Sequence, residues 1–518
     1  MAAPHPGKWE RVLNQTQCLL STGETAVHAC LLGRQLETAR SWKVLYFFAG
    51  QTQGTLKSGI WNSGNNAITE QTIPNWPGSQ DPPPPPPRLF CSGHAFLPDG
   101  KLLVAGGEIY SSELPPLGLP YTYIFNQITE QWEIPGLPGP PHAMAKGRYY
   151  PTITTLGLGQ NGFGYGKILA MSGLDENGDP NKVPELYDPD TGWLQISDQQ
   201  ALQPFDDSYP GSHVIPYGPH KGKIFYDIPM MQAYAFNPFF SGPPNGGFWT
   251  AIGSSRSTDR HGGNSILLPL LPGATSAKVL ITCGGYTANN TAEIINLADS
   301  SPGWSFINSM FIVRRNANAV ILPDDRILII GGNKIDRHDE PVFTPEAFDP
   351  ATGEWTLLPA MNIERSYHSV AILLPDGSVW LSGTTFPGGI TTWQHNIEIY
   401  SPGYLFEGER PLITECPENI TYGNQFSIDT DIPIASIRLI RFGSMTHSTD
   451  TDQRSVGLVF TEAPNQPIGS IKWNVNAPAD ADIAPPGLYM LFVLRAKNQS
   501  LSGQTAIPSI ARIVKVSA

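Results

Sequence analysis

One pattern of about fifty residues recurs seven times between residues 28 and 405, and it constrains the fold more than any other feature of the chain. Its clearest copies open on FCSGHAFLPDGKLLVAGGE (90–108), RYYPTITTLGLGQNGFGYGKILAMSG (148–173), RNANAVILPDDRILIIGGN (315–333) and RSYHSVAILLPDGSVWLSG (365–383). Weaker copies start near 28, 211 and 260. In each, two apolar runs flank a turn such as Pro375-Asp376-Gly377 and read as a pair of short strands. A Gly-Gly or Ser-Gly break follows. Then come a third run ending in sequence such as Phe-Asp-Pro and a fourth that bears Trp, as in FDPATGEW.

A four-stranded sheet of this size cannot cover both of its faces alone. Stacking the copies around an axis solves the problem and predicts a seven-bladed kelch-type β-propeller over 28–405. An array of β-sandwiches is the alternative, and it would not hold Gly-Gly and Trp at a fixed phase in each copy. Residues 1–27 are left as an N-terminal segment, and Pro82–Pro87 reads as a stiff linker between blades. After residue 405 the Gly-Gly breaks stop. The runs SIRLIRF, SVGLVF, SIKWNV and GLYMLFVL predict an immunoglobulin-like β-sandwich over 406–518. The expected class is all-β: a seven-bladed kelch-type β-propeller followed by an immunoglobulin-like β-sandwich.

Composition agrees with a turn-rich β protein, with Gly 52, Pro 50 and only 15% charged residues. The net charge of −13, without a Lys/Arg cluster, argues against a nucleic-acid partner. No apolar run approaches the roughly 18 residues of a membrane span. The opening MAAPHPGKWERV shows no basic region followed by an apolar one. Cys18, Cys30, Cys91, Cys283 and Cys416 form no CxxC zinc pattern. A Cys18–Cys30 pair would favour an oxidising compartment. A secreted or extracytoplasmic monomer is the expectation.

In a propeller, loops just ahead of the first strands meet at one end of the axis. At that phase the copies offer Cys91, Tyr150 and Tyr367-His368, with Asn316, Asn318, His28, His213 and His261 in the others. Imidazole and phenolate together suit copper or iron. Two Tyr and one His leave a tetragonal Cu(II) short of a donor. His447, in RFGSMTHSTDTDQR, would supply it if the last domain caps the propeller. Other uses stay open at this point. A Tyr at a strand start packs, Cys91 alone behaves as a small apolar residue, and His447 alone serves as a loop hydrogen-bonder. No GxSxG elbow points to a serine hydrolase. The acidic pairs Asp206-Asp207 and Asp339-Glu340 leave room for a carboxylate-based hydrolase or lyase. A catalytically silent propeller that binds glycans or protein partners is the remaining alternative.

Four motifs together resemble the copper radical oxidases, the galactose oxidase and glyoxal oxidase family. FCSGHAFLPDG is similar to its cysteine motif, GRYYPT to its equatorial tyrosine motif, RSYHSVAILLPDG to its Tyr-His motif and THSTDTDQR to its C-terminal histidine motif. PPGLYMLFVL is similar to its capping domain, and the order agrees over nearly the whole chain. The resemblance implies one copper ion per chain and a radical cofactor built from a Cys91–Tyr150 thioether. Tyr150, rather than Tyr149, is the implied ligand because the family's tyrosine sits two residues after the arginine, here Arg148. Tyr367 is implied as axial phenolate and general base, and His368 and His447 as imidazole ligands. The implied reaction is two-electron oxidation of a small aldehyde hydrate or primary alcohol, with O2 reduced to H2O2. His94, just after CSG, is expected to contact substrate or neighbouring solvent. Galactose oxidase stacks a Trp over the crosslinked pair, whereas the comparable stretch MSGLDENG has no aromatic. That departure moves the expected substrate from galactose toward small aldehydes and simple primary alcohols.

Overall fold

The computed structural model describes residues 5–13, 17, 26–33, 41–47, 56–77, 88–109, 117–158, 162–205, 209–239, 248–255, 259–335, 340–384, 394–464, 470–495 and 506–518. Pro82–Pro87, Cys18, Asp206, Asp207 and Asp339 lie outside them.

Seven antiparallel sheets surround one axis. In chain order their first strands are His28–Leu32, Gly93–Phe96, Thr152–Thr155, Ser212–Val214, Asn264–Leu267, Asn318–Ile321 and Ser369–Leu373. These first strands adjoin one another and form the hub. They are almost wholly buried although several are rich in Thr, Ser, His and Asn, since neighbours cover both faces. The seventh blade is closed from the other end of the chain. Lys8–Leu13 pairs antiparallel with Ile397–Ser401 and supplies the fourth strand.

The physical use of the repeated residues is now visible. The Trp of an outer strand reaches back to the preceding blade. Trp132 Nε1–H donates to Ser58 Oγ (2.9 Å), Trp193 to Thr122 Oγ1 (2.8 Å) and Trp355 to the Asn308 carbonyl (2.8 Å). In blade seven that Trp is Trp9, which donates to the Pro359 carbonyl at 2.8 Å. The Gly-Gly breaks are where the next blade's backbone comes close. Gly332 N–H donates to the Arg365 carbonyl (2.7 Å) and Gly107 N–H to that of Arg148 (2.9 Å). Both glycines have positive φ, 86° and 124°. A Cβ at neighbouring Gly331 would strike the Arg365 carbonyl, which explains why no larger residue serves there.

Those arginines are the second repeated device. Arg148, Arg260, Arg314 and Arg365 are buried against Glu185, Glu293, Glu346 and Glu398, each Arg N to Glu O distance being 2.6–3.1 Å. Each also donates to a carbonyl beyond its blade's second strand or at its end, as Arg365 does to Gly383 (2.9 Å). Each pair pins the segment directly ahead of its own blade's first strand.

The C-terminal domain is a sandwich of two sheets. One has the order Ile413–Glu415, Gln425–Thr430, Ile471–Asn476, Phe460–Glu462. The other is built around Gly487–Arg495, flanked by Ser436–Arg441 and Arg512–Ser517. Ile428, Leu439, Trp473, Val475, Leu491 and Val514 fill the space between them. Between Ser436–Arg441 and Ser455–Gly457 the chain leaves the sandwich as a hairpin, Ser444–Thr446 with Thr449–Asp450, that enters the hub. Its first strand pairs with His28–Leu32, placing Thr446 opposite His28 and Ser444 opposite Cys30. Asp452 accepts from the Phe96 amide (2.8 Å), and Asn264 Nδ2 donates to the Ser448 carbonyl (3.0 Å). The hairpin tip is thereby locked to several blades at once.

Among the described residues no helix is long and apolar enough to cross a membrane. Cys30 is a free, buried thiol, 3.5 Å from Ser444 Oγ.

Candidate metal centre

Six turns ahead of the first strands share a left-handed backbone: Cys91 (φ 56°), Tyr150 (65°), Tyr209 (48°), Gly262 (65°), Asn316 (57°) and His368 (66°). A non-glycine residue pays about 1–2 kcal/mol for that conformation. The turns are laced to one another. Tyr150 N–H donates to the Cys91 carbonyl (2.9 Å), Tyr209 N–H to the Tyr150 carbonyl (3.1 Å) and Asn316 N–H to the Gly262 carbonyl (2.6 Å). Cys91 and Tyr150, 59 positions apart in the numbering, are thus backbone neighbours.

Onto this rim the hairpin tip delivers His447. Its Nε2 lies 3.4 Å from Cys91 Sγ. The Tyr150 and Tyr367 hydroxyls meet at 3.0 Å. The rings of His368 and His447 stand 4.6 Å apart at 84°, and those of Tyr367 and His368 3.8 Å apart. Cys91 Sγ and one ring nitrogen each of His368 and His447 all fall within 4.8 Å of one another. Cys91 and His368 are buried, whereas Tyr150, Tyr367 and His447 keep partial exposure, so the centre opens toward solvent on their side.

The tautomer of His447 follows from its neighbour. Thr446 Oγ1–H donates to the Val27 carbonyl (3.1 Å), so that oxygen must accept from His447 Nδ1–H at 2.6 Å. The lone pair is left on Nε2, facing the cluster, which is the form a metal requires. Burial drops the His447 imidazole to about 3, helped by nearby His94. Burial also pushes the Cys91 thiol and the Tyr150 phenol well above their usual values. Without a cation these groups are neutral. Two imidazoles and two phenols fit a Cu(II) ion, because two phenolates would balance its charge and the four donors suit tetragonal coordination.

The other sequence candidates fall elsewhere. His94 is fully buried and meets His28 Nδ1 (3.1 Å) and Ser444 Oγ (2.5 Å), so it does not face a substrate. His28 lies beneath Cys91, whose N–H donates to its Nε2 at 3.2 Å. His213 bonds Ser265 Oγ (2.7 Å), His261 stacks on Tyr286, Asn316 donates to Asn333 and Asn318 to Ser369. Tyr149 packs edge-on against Tyr150. Glu340, of the Asp339-Glu340 pair, is exposed beside Lys334.

Two aromatic neighbours escaped the sequence reading. Phe90 meets His368 edge-on at 5.3 Å. Tyr209 stacks on His447 (4.8 Å, 29°), stands edge-on to Tyr150 (4.9 Å) and donates its hydroxyl proton to the Ser92 carbonyl at 2.8 Å. An aromatic wall therefore exists beside Tyr150 even though MSGLDENG contributes none. Aligning the blade-four copy on Tyr209 rather than on His213 would have found it.

Both parts of the chain match known protein families. The glyoxal oxidase N-terminus family matches residues 250–404, and the galactose oxidase-like early set domain matches 410–516. Both stretches are therefore similar to domains of galactose oxidase and glyoxal oxidase proteins. The chain is 26% identical to a galactose oxidase of Gibberella zeae over 498 residues, covering 90% of this chain and 65% of that protein. The chain thus spans somewhat less than two thirds of that relative. It is 27% identical to an aldehyde oxidase, GLOX, of Vitis pseudoreticulata, with 82% of each chain covered. A solved fungal alcohol oxidase of the AA5 family, in complex with copper, shares the fold: TM-score 0.77 at 22% identity, covering 99% of this chain and all of that one.

Proposed function

We propose that this chain is a copper radical oxidase that converts a small aldehyde hydrate or a primary alcohol by two electrons while O2 becomes H2O2. The observation that carries the reading is the meeting of Cys91, Tyr150, Tyr367, His368 and His447 at one end of the hub. All five come from a single chain, so no second copy is needed to complete the centre.

In this reading Tyr150, Tyr367, His368 and His447 hold the copper ion, which supplies one of the two oxidising equivalents. Cys91, joined to Tyr150 by a thioether, lets the side chain store the other equivalent as a radical, and no organic cofactor is required. Tyr367 Oη takes the hydroxyl proton of the substrate, being half-exposed and at hydrogen-bond distance from Tyr150 Oη. The Cys91–Tyr150 unit then removes the carbon-bound hydrogen. Tyr209 and Phe90 wall the site with apolar surface and keep its imidazoles oriented. Tyr150 and Tyr367 keep partial exposure, which lets substrate reach them, and an extracytoplasmic, oxygen-supplied setting follows from the reading.

Copper titration with optical spectra tests it, followed by peroxide release across a panel of alcohols and aldehydes. A phenolate-to-Cu(II) band with peroxide from at least one compound is expected. No band and no peroxide would refute the oxidase reading. A further expectation concerns Thr446. Thr446→Val removes the hydroxyl that fixes the His447 tautomer and should weaken copper binding about 10–100-fold by calorimetry. Unchanged affinity would contradict the tautomer assignment.

A further inference from the structure

We propose that a one-way hydrogen-bond chain running from Cys91 through His28 and His94 to Ser444 holds the cysteine in place for thioether formation, making His28 and His94 positioning residues. The inference rests on the crosslink reading above.

The direction of the chain follows from its first member. A backbone N–H can only donate, so the 3.2 Å bond from the Cys91 amide requires a lone pair on His28 Nε2. The proton of that imidazole therefore sits on Nδ1, which donates to His94 Nε2 at 3.1 Å. His94 in turn must carry its proton on Nδ1, and that group donates to Ser444 Oγ at 2.5 Å. The serine proton is left for Cys30 Sγ at 3.5 Å or the His94 carbonyl at 3.4 Å. Every side chain in the series is fully buried, so removing one leaves its neighbours unsatisfied rather than hydrated.

The chain acts on the residue that must react. Cys91 is held left-handed, with its N–H on His28 and its carbonyl taken by the Tyr150 amide. With both backbone groups pinned, the thiol moves only by side-chain rotation beside Tyr150. The far end, Ser444, lies in the hairpin strand that presents His447, so one bonded series ties the cysteine turn to the strand carrying a proposed ligand. Crosslinking forms one S–C bond and breaks the S–H bond and one ring C–H bond. The two electrons and two protons pass to dioxygen at the copper-loaded centre and leave as H2O2. Such a step depends on how often sulfur lies against the ring, which is what the chain controls.

The test uses the full chain prepared without copper, then given Cu(II) in air while intact mass is followed for loss of two hydrogens. His28→Leu should crosslink at least about 10-fold more slowly, with the rate compared at saturating Cu(II) so that any change in copper affinity drops out. His28→Gln, whose amide both accepts and donates, should recover most of the rate. Nitrogen-15 spectra of histidine-labelled, copper-free protein should show the proton of both imidazoles on Nδ1, a readout that needs neither folding of a variant nor copper. Crosslinking of His28→Leu at the parent rate, or a proton on Nε2 of either imidazole, would overturn the role alone. A parent chain that takes up copper without losing mass would refute the crosslink reading and this role with it.

Discussion

Cys91→Ser is expected to bind copper with the parent's stoichiometry yet lose turnover by about 10³-fold or more, roughly 4 kcal/mol of transition-state stabilisation. The serine hydroxyl fits the buried space of the thiol but cannot form the thioether, so Tyr150 keeps an ordinary phenol that is harder to oxidise and to hold oxidised. Both backbone bonds of residue 91 survive the change, so the fold should persist. His447→Ala makes the informative contrast. It removes the donor that the cap delivers to the rim, and copper affinity itself should fall by at least about 100-fold. Measuring copper by calorimetry and turnover by peroxide release separates the two variants. Equal turnover in Cys91→Ser and parent, or equal copper affinity in His447→Ala and parent, would contradict the assigned roles.

Arg365→Met should destabilise the chain by about 3–5 kcal/mol, the usual consequence of breaking a buried ion pair from one side. Arg365 and Glu398 have no solvent exposure, and the guanidinium also holds the Gly383 and Asn396 carbonyls. Burial already raises the Glu398 carboxyl above its ordinary value, opposed by Arg365. Without the cation it should rise further. A carboxyl with a raised folded-state value favours the folded state below the unfolded value near 4.5 and loses that support as pH climbs through the folded value. The variant should therefore be hurt more at pH 8 than at pH 5. Because Arg365 anchors the turn that carries Tyr367 and His368, copper affinity should fall along with stability. Denaturant unfolding at the two pH values checks the effect, and a loss below about 1 kcal/mol at pH 8 would mean the pair does not anchor the turn.

Much of this was legible in the sequence because a propeller repeats its physics. Gly331-Gly332 must be glycine where Arg365 approaches, and Trp355 must reach the previous blade, so spacing alone exposed the blades. What repeats least was hardest to read. Trp9 carries the mark of an outer strand, yet its partner strand lies nearly 400 residues away, so Lys8–Leu13 falls within what the sequence leaves as an N-terminal segment, 1–27. Tyr209 occupies the left-handed turn of blade four, but that copy is weak and its sequence offers His213 as the more conspicuous ligating side chain. His447 could be named from its motif, whereas its delivery depends on the pairing of Ser444–Thr446 with His28–Leu32, a register no local pattern encodes. His94 has the composition of a site residue and points inward, because on a hub strand covered on both faces alternation no longer separates solvent from core.

The most direct measurement is the intact mass of the purified chain before and after Cu(II) loading in air, with peptide mapping of the turns around residues 91 and 150. A loss of two hydrogens, localised to a peptide pair joined through Cys91 and Tyr150, is the predicted result. A copper-loaded chain of unchanged mass, with both peptides recovered separately, would contradict it.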